Sequence, residues 1–77
     1  MNQKFKGHLE NNIHILRAEK KISQKDLALK VGVSRQTIIS LENNRYNPSL
    51  ILAFEIAQVF QKDISEVFTY KKEEEEN

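Results

Sequence analysis

Arg35 and Gln36 stand side by side, followed by Thr37 and, one helical turn beyond Gln36, Ser40. These types suit the edge of a nucleic-acid base. Arg can bridge O6 and N7 of guanine, Gln can bridge N6 and N7 of adenine, and a Thr methyl can touch the thymine methyl. Ser can reach a base edge or a phosphate. Each good bidentate pair discriminates against the wrong base by about 1–3 kcal/mol. Alone, Arg-Gln is equally an ordinary solvated helix start, so the reading depends on a rigid element that carries both side chains outward. Competing chemistry is scarce. Two glycines, Gly7 and Gly32, are too few for a G-x-G-x-x-G or Walker loop. There is no Cys for a disulfide or thiolate metal site. His8 and His14 are six apart and share no helix face. Glu10 and His14 have i, i+4 spacing, which suits a helix-surface pair or a chance metal site; an ordinary surface His is the simpler reading. A chain of 77 residues leaves little core from which to carve a dry pocket. The expectation is no enzyme, no cofactor, no metal and no small-molecule ligand.

The elements that must hold those side chains read as helices, because the apolar spacing is mostly helical and proline occurs once, at Pro48. A first helix fits 10–20, with Leu9, Ile13 and Leu16 inward and Lys20-Lys21 at its negative end. Ser23 with Asp26 forms a capping box that opens a second helix carrying Leu27, Ala28 and Val31, and Gly32 ends it. Ser34 caps a third helix through about Asn43, with Ile38 and Leu41 inward. Residues 43–47 are polar loop. Asn47 caps a fourth helix with Pro48 at its first position and a stripe of Leu50 or Ile51, Leu52, Ala53, Ile56, Ala57 and Phe60. Asp63 with Glu66 caps a short fifth helix carrying Ile64, Val67 and Phe68. Residues 67–71 alternate apolar and polar with β-prone types, which suits a strand paired with 4–9; a frayed N-terminal arm is the alternative.

Residues 24–43 make the strictest demands on spacing. Ala28 is small where two helices approach most closely, Gly32 sits where the chain must turn sharply with φ > 0, and Leu27, Val31, Val33, Ile38 and Leu41 are apolar at the five positions that lock the pair together. A generic helical hairpin rarely satisfies all seven. Rigidity of this kind is what a helix needs to act as a fixed probe in a DNA groove.

With those residues in place, Gln24 through Asn43, QKDLALKVGVSRQTIISLEN, resembles the lambda repressor/Cro-type helix-turn-helix, the XRE family. The flanks NNIHILRAEKKIS and RYNPSLILAFEIAQVFQKDISEVF agree, and the resemblance covers about residues 11–70. It is similar to very small bacterial regulators that consist of little besides the DNA-binding domain, some of them five-helix bundles with an added terminal β-hairpin, which dimerise. The implied fold is all-α, a five-helix lambda-repressor-like DNA-binding domain over 1–70, with a short terminal β-hairpin left open and an acidic solvated tail at 71–77.

The outward positions, together with the resemblance, give expected roles as well. Arg35, Gln36, Thr37 and Ser40 would read bases. Gln24 starts the second helix, where free backbone N–H groups already favour an anion, and the resemblance implies that its side chain binds phosphate and buttresses the first turn of the third helix. Ser23, Ser34, Asn43, Asn44, Arg45 and Tyr46 would add phosphate contacts, and Lys20, Lys21 and Lys25 long-range attraction. Binding should then weaken with salt at a slope of about −0.9 per phosphate neutralised. Arg17 and Glu42 match positions that form a buried pair in related domains; two exposed charges are the alternative. Dimerisation would use Val67, Phe68 and Tyr70 with part of the fourth helix.

The charge pattern fits. Residues 1–48 hold nine Lys or Arg against four acids, a net of +5; residues 49–77 hold three against seven, a net of −4. One face suits a polyanion and the other points away from it, although the acidic tail alone could skew a neutral domain. No apolar run approaches the ~20 residues needed to span a bilayer, and the early charges Lys4, Lys6 and Glu10 do not suit a signal peptide, so a cytoplasmic protein is expected. The leading function is a sequence-specific transcriptional regulator, most simply a repressor, binding a pseudo-palindromic operator on double-stranded DNA as a homodimer. The alternative is an antitoxin-like DNA-binding protein whose main partner is a toxin; the chain lacks a long extra segment for wrapping such a partner.

Overall fold

Serines open three of the helices, and each does so with its hydroxyl. The computed structural model describes residues 7–72, which form β1 (Gly7–Asn11), α1 (Ile13–Lys20), α2 (Gln24–Val31), α3 (Arg35–Glu42), α4 (Leu50–Phe60), α5 (Ile64–Val67) and β2 (Phe68–Lys72). Ser23 Oγ accepts from the Asp26 N–H at 2.9 Å, and the Asp26 carboxylate accepts from the Ser23 N–H at 3.1 Å. Ser34 Oγ accepts from the Thr37 N–H at 3.1 Å, and Ser49 Oγ from the Leu52 N–H at 3.1 Å. Each bond satisfies a donor that the first helical turn otherwise leaves unpaired.

The fourth helix therefore starts two residues later than the sequence reading placed it. Ser49 is the cap, and Pro48 precedes it. Leu50 and Ile51 are both exposed, at 69% and 76%, so neither joins the inward stripe. The rest of that stripe is as expected. Leu52, Ala53, Ile56, Ala57 and Phe60 are buried against Ile13 and Leu16 of α1, Leu27 and Ala28 of α2, and Ile38 and Leu41 of α3. Burying each large side chain contributes about 1.5–3 kcal/mol.

The first helix also starts later, at Ile13 rather than 10. Leu9, Glu10 and Asn11 are taken into β1, which pairs antiparallel with β2 in the register Gly7↔Lys72, Leu9↔Tyr70 and Asn11↔Phe68. The terminal hairpin is thus present, shifted from the expected 4–9 and 67–71. Its Lys4–Lys6 portion lies outside the described residues, as does the tail from 73 on. Leu9 is half-buried on the strand. Glu10 does not face His14 along a helix; its Oε2 lies 3.0 Å from His8 Nε2 on the same strand. Asn11 Oδ1 accepts from the Ile13 N–H at 3.0 Å and so sets the start of α1. Asn12 ties strand and bundle together, its N–H donating to Val67 O at 2.9 Å and its side chain to Glu66 O at 3.2 Å. At α5 the Glu66 carboxylate accepts from the Asp63 N–H at 3.0 Å. β2 runs through Lys72, past the domain end expected at 70.

The corner between α2 and α3 is built as its sequence suggests. Gly32 has φ 78°, and its N–H and that of Val33 both donate to Ala28 O, at 2.8 and 3.1 Å. A Cβ on Gly32 would meet nothing within 4 Å, so the requirement is for the left-handed backbone itself and not for space. No helix among the described residues is long and apolar enough to cross a membrane.

Candidate nucleic-acid interface

Capping and core packing together decide which face of α3 is free. Ile38 and Leu41 are buried, which turns Arg35 and Gln36 outward at the exposed first turn, with Thr37 and Ser40 half-buried beside them. The Thr37 hydroxyl lies 3.0 Å from Ser34 Oγ, so Ser34 and Thr37 hold each other at the start of the helix. Of the four expected base readers, two are fully presented and two lie at the margin of the core.

A polar chain runs from inside the bundle to this first turn. Arg17 on α1 and Glu42 at the end of α3 form a two-point ion pair, Nε to Oε2 at 2.7 Å and Nη2 to Oε1 at 3.2 Å. Their side chains remain 18% and 9% exposed, so the pair is largely shielded and the exposed alternative does not hold. Arg17 Nη1 also donates to Ile22 O at 3.1 Å. Glu42 Oε1 accepts from Gln24 Nε2 at 3.1 Å, and Gln24 Oε1 accepts from Arg35 Nη2 at 3.4 Å. Gln24 is thus placed against the first turn of α3. Arg17, Ser23, Gln24, Lys25 and Arg35 line an open cleft of about 620 Å³ at the N-terminus of α2. Lys25 and Arg35, with the N–H groups of the first turn of α2, make it attractive to an anion, while the charge of Arg17 is already matched by Glu42. Asp26 sits in the same turn. The backbone N–H and the hydroxyl of Ser23 hold its carboxyl below the usual carboxylate range, with help from Lys30 and Lys25.

Beyond α3 the chain turns through Asn44 in the left-handed region, at φ 60°, a conformation Asn tolerates better than most residues. Asn43, Asn44, Arg45 and Tyr46 are all exposed. Asn11 reaches across from β1 to hold this turn, its Nδ2 donating to Leu41 O at 2.8 Å and to Asn44 Oδ1 at 3.0 Å. Asn44 thereby keeps its own N–H₂ for an outside acceptor. Sequence reasoning missed Asn11, because it fell inside the expected first helix and nothing nearby links it to a loop more than thirty residues on.

The residues expected at a dimer contact divide. Val67 and Phe68 lie in the protomer's own core and are occupied there; Tyr70 is exposed on β2. Leu50, Ile51 and Phe54 form an exposed apolar surface at the start of α4.

Residues 13–67 match the Helix-turn-helix family. An uncharacterized HTH-type transcriptional regulator of Methanocaldococcus jannaschii is 47% identical over 66 residues, which is 86% of this chain and 100% of that protein. The HTH-type regulator YgzD of Bacillus subtilis, also uncharacterized, is 38% identical over 65 residues, covering 84% of this chain and 98% of its own. The restriction-modification controller protein C.AhdI from Aeromonas hydrophila is similar in structure, with a TM-score of 0.65 and 28% identity over 70% of this chain and 78% of that one. The transcriptional regulator VanUg shares the fold, with a TM-score of 0.75 over 95% of this chain and 99% of its own at 24% identity. The chain belongs to the XRE-type, Cro/C1-like helix-turn-helix family of DNA-binding transcriptional regulators.

Proposed function

We propose that the chain is a sequence-specific repressor that binds a pseudo-palindromic operator as a homodimer, with no chemistry of its own, in the cytoplasm. The observation that carries the reading is the exposed first turn of α3, where Arg35 and Gln36 project from a helix fixed by the Ser34 cap and the Gly32 corner. Arg35 and Gln36 would read base edges in the major groove, with Thr37 and Ser40 at the margin of the same contact. Ser23, Gln24 and Ser34 before α3, and Asn43, Asn44, Arg45 and Tyr46 after it, would grip phosphates on either side. Two copies would set their recognition helices about 34 Å apart, one turn of DNA. The exposed Leu50, Ile51 and Phe54, with Tyr70, supply apolar surface for the second copy. Bound at a promoter, such a dimer represses by occupying the site.

Selection of bound duplexes from a random pool tests this. The expected product is a two-fold repeated half-site, with affinity falling steeply as salt rises. Arg35→Ala should lose discrimination at one base pair per half-site, by about 1–3 kcal/mol, and keep its melting temperature. A pool that returns no preferred sequence, or an Arg35→Ala protein with unchanged preference, would end the reading.

A further inference from the structure

Glu42 stands at the far end of α3 from Arg35, yet the two are joined through one amide. A carboxylate only accepts hydrogen bonds. The Glu42 oxygens face Arg17 Nε, Arg17 Nη2 and the Gln24 side chain, so Gln24 must turn its N–H₂ toward Glu42. That choice leaves the Gln24 carbonyl facing away, where it can only receive a donor, and the group beside it is the Arg35 guanidinium. Arg17 is what fixes Glu42 in turn, through two parallel bonds and its further bond to Ile22 O. The orientation of Gln24 is therefore set from inside the bundle and not by the surface it lines.

We infer that Glu42 is a positioning residue for base reading: by fixing the Gln24 amide it turns the Gln24 carbonyl onto Arg35 and holds that guanidinium in one direction before DNA arrives. The inference rests on Arg35 reading a base as proposed above. Arg carries five N–H donors in a planar fork, so it can grip guanine O6 and N7 with two of them and keep the Gln24 contact with another. An Arg already aimed loses less rotamer freedom on binding, and it penalises a wrong base because it cannot swing away to another acceptor. Gln24 is then chiefly a strut between ion pair and recognition helix, with one N–H left over for a phosphate.

The test measures base preference by selection and competition binding for the parent, Arg35→Ala, Gln24→Met, Glu42→Gln and the Gln24→Met/Glu42→Gln pair, with a thermal melt of each. Arg35→Ala identifies the base pair that Arg35 reads. Gln24→Met, similar in shape but without polar hydrogen-bonding groups, and Glu42→Gln should each lower preference at that pair about fivefold or more and leave the other positions unchanged. The double variant should be no worse in preference than Gln24→Met alone, although its melt carries the added loss from Glu42. Should Glu42→Gln fail to fold, Glu42→Asp keeps the charge for Arg17 but falls a methylene short of Gln24, and the same loss of preference is expected. Unchanged preference in Gln24→Met or in Glu42→Gln, or a further loss of preference in the double variant beyond Gln24→Met, would overturn the inference while leaving the regulator reading intact. Unchanged preference in Arg35→Ala would overturn both.

Discussion

α3 and α4 begin alike and present opposite surfaces. Each is opened by a serine whose hydroxyl accepts from the N–H three residues on. After Ser34 come Arg35 and Gln36; after Ser49 come Leu50 and Ile51, and all four side chains are exposed. The cap fixes where a helix starts, and the core residues that follow fix its rotation. The first two positions are bound by neither demand, so their chemistry is free to suit a partner. On α3 that chemistry suits base edges and phosphates. On α4 it suits another apolar protein surface.

The largest contrast separates these free positions from the core just behind them. Ile38→Ala should cost about 2–5 kcal/mol in a urea or thermal unfolding curve, since Ile38 is fully buried. Ile51→Ala should move the same curve by less than about 0.5 kcal/mol when measured on dilute monomer, while weakening self-association in sedimentation equilibrium. Equal effects of the two would erase the distinction drawn between the helices' starts.

The ion pair sharpens the comparison from the other side, because among the described residues α4 has no polar chain like the one that leads from α1 to Arg35. Glu42→Ala should cost about 1–3 kcal/mol in a thermal melt, between the values for exposed and fully buried pairs, because both side chains keep slight contact with water. A melt indistinguishable from the parent's would show that Arg17 finds equal solvation without its partner.

Gly32 governs the tilt of α3 relative to α2. Gly32→Ala should cost about 1–2 kcal/mol, all of it from the left-handed backbone since nothing crowds the site, and Gly32→Asn should cost less. Equal losses for Ala and Asn would point to packing in place of backbone strain.

The smallest effect is the cap of α2. Its Asp26 carboxyl titrates below its ordinary value in the folded protein, so its contribution is present above about pH 4, where the unfolded group is already ionised, and fades as pH falls through the lowered value. Asp26→Asn should therefore lower stability slightly on the neutral side and leave the most acidic region little altered, which flattens the acid limb of the profile. An unchanged acid limb would remove the cap from the account.

Much of this was legible in the residues because the signals were local. Ser23 with Asp26, Ala28, Gly32 and Ser34 each act within one turn of themselves, and together they place α2, α3 and the outward Arg35 and Gln36. The start of α4 was not legible. Asn47 and Ser49 can both cap, and the stripe from Leu52 to Phe60 keeps the same phase whichever one does, so periodicity could not choose between them. The start of α1 was misread because β1 takes up Leu9 to Asn11 only when β2 lies beside it, and that partner comes from the other end of the described chain. Val67 and Phe68 are expected at a dimer contact as apolar residues of the acidic C-terminal half, whereas the bundle buries both. The link from Glu42 to Gln24 joins residues 18 apart and exists only once three helices have packed.

The strand pair has a kinetic consequence. Gly7 meets Lys72 and Asn11 meets Phe68, so closing the ribbon constrains nearly the whole described chain into one loop, while contacts between α2 and α3 close only a short one. Loop-closure entropy rises with length, and long-range pairings lag local ones in folding. The ribbon should zip after the transition state, so loosening it hastens unfolding far more than it slows folding. Stopped-flow chevrons of Leu9→Ala should show a steeply raised unfolding limb above an almost unmoved refolding limb.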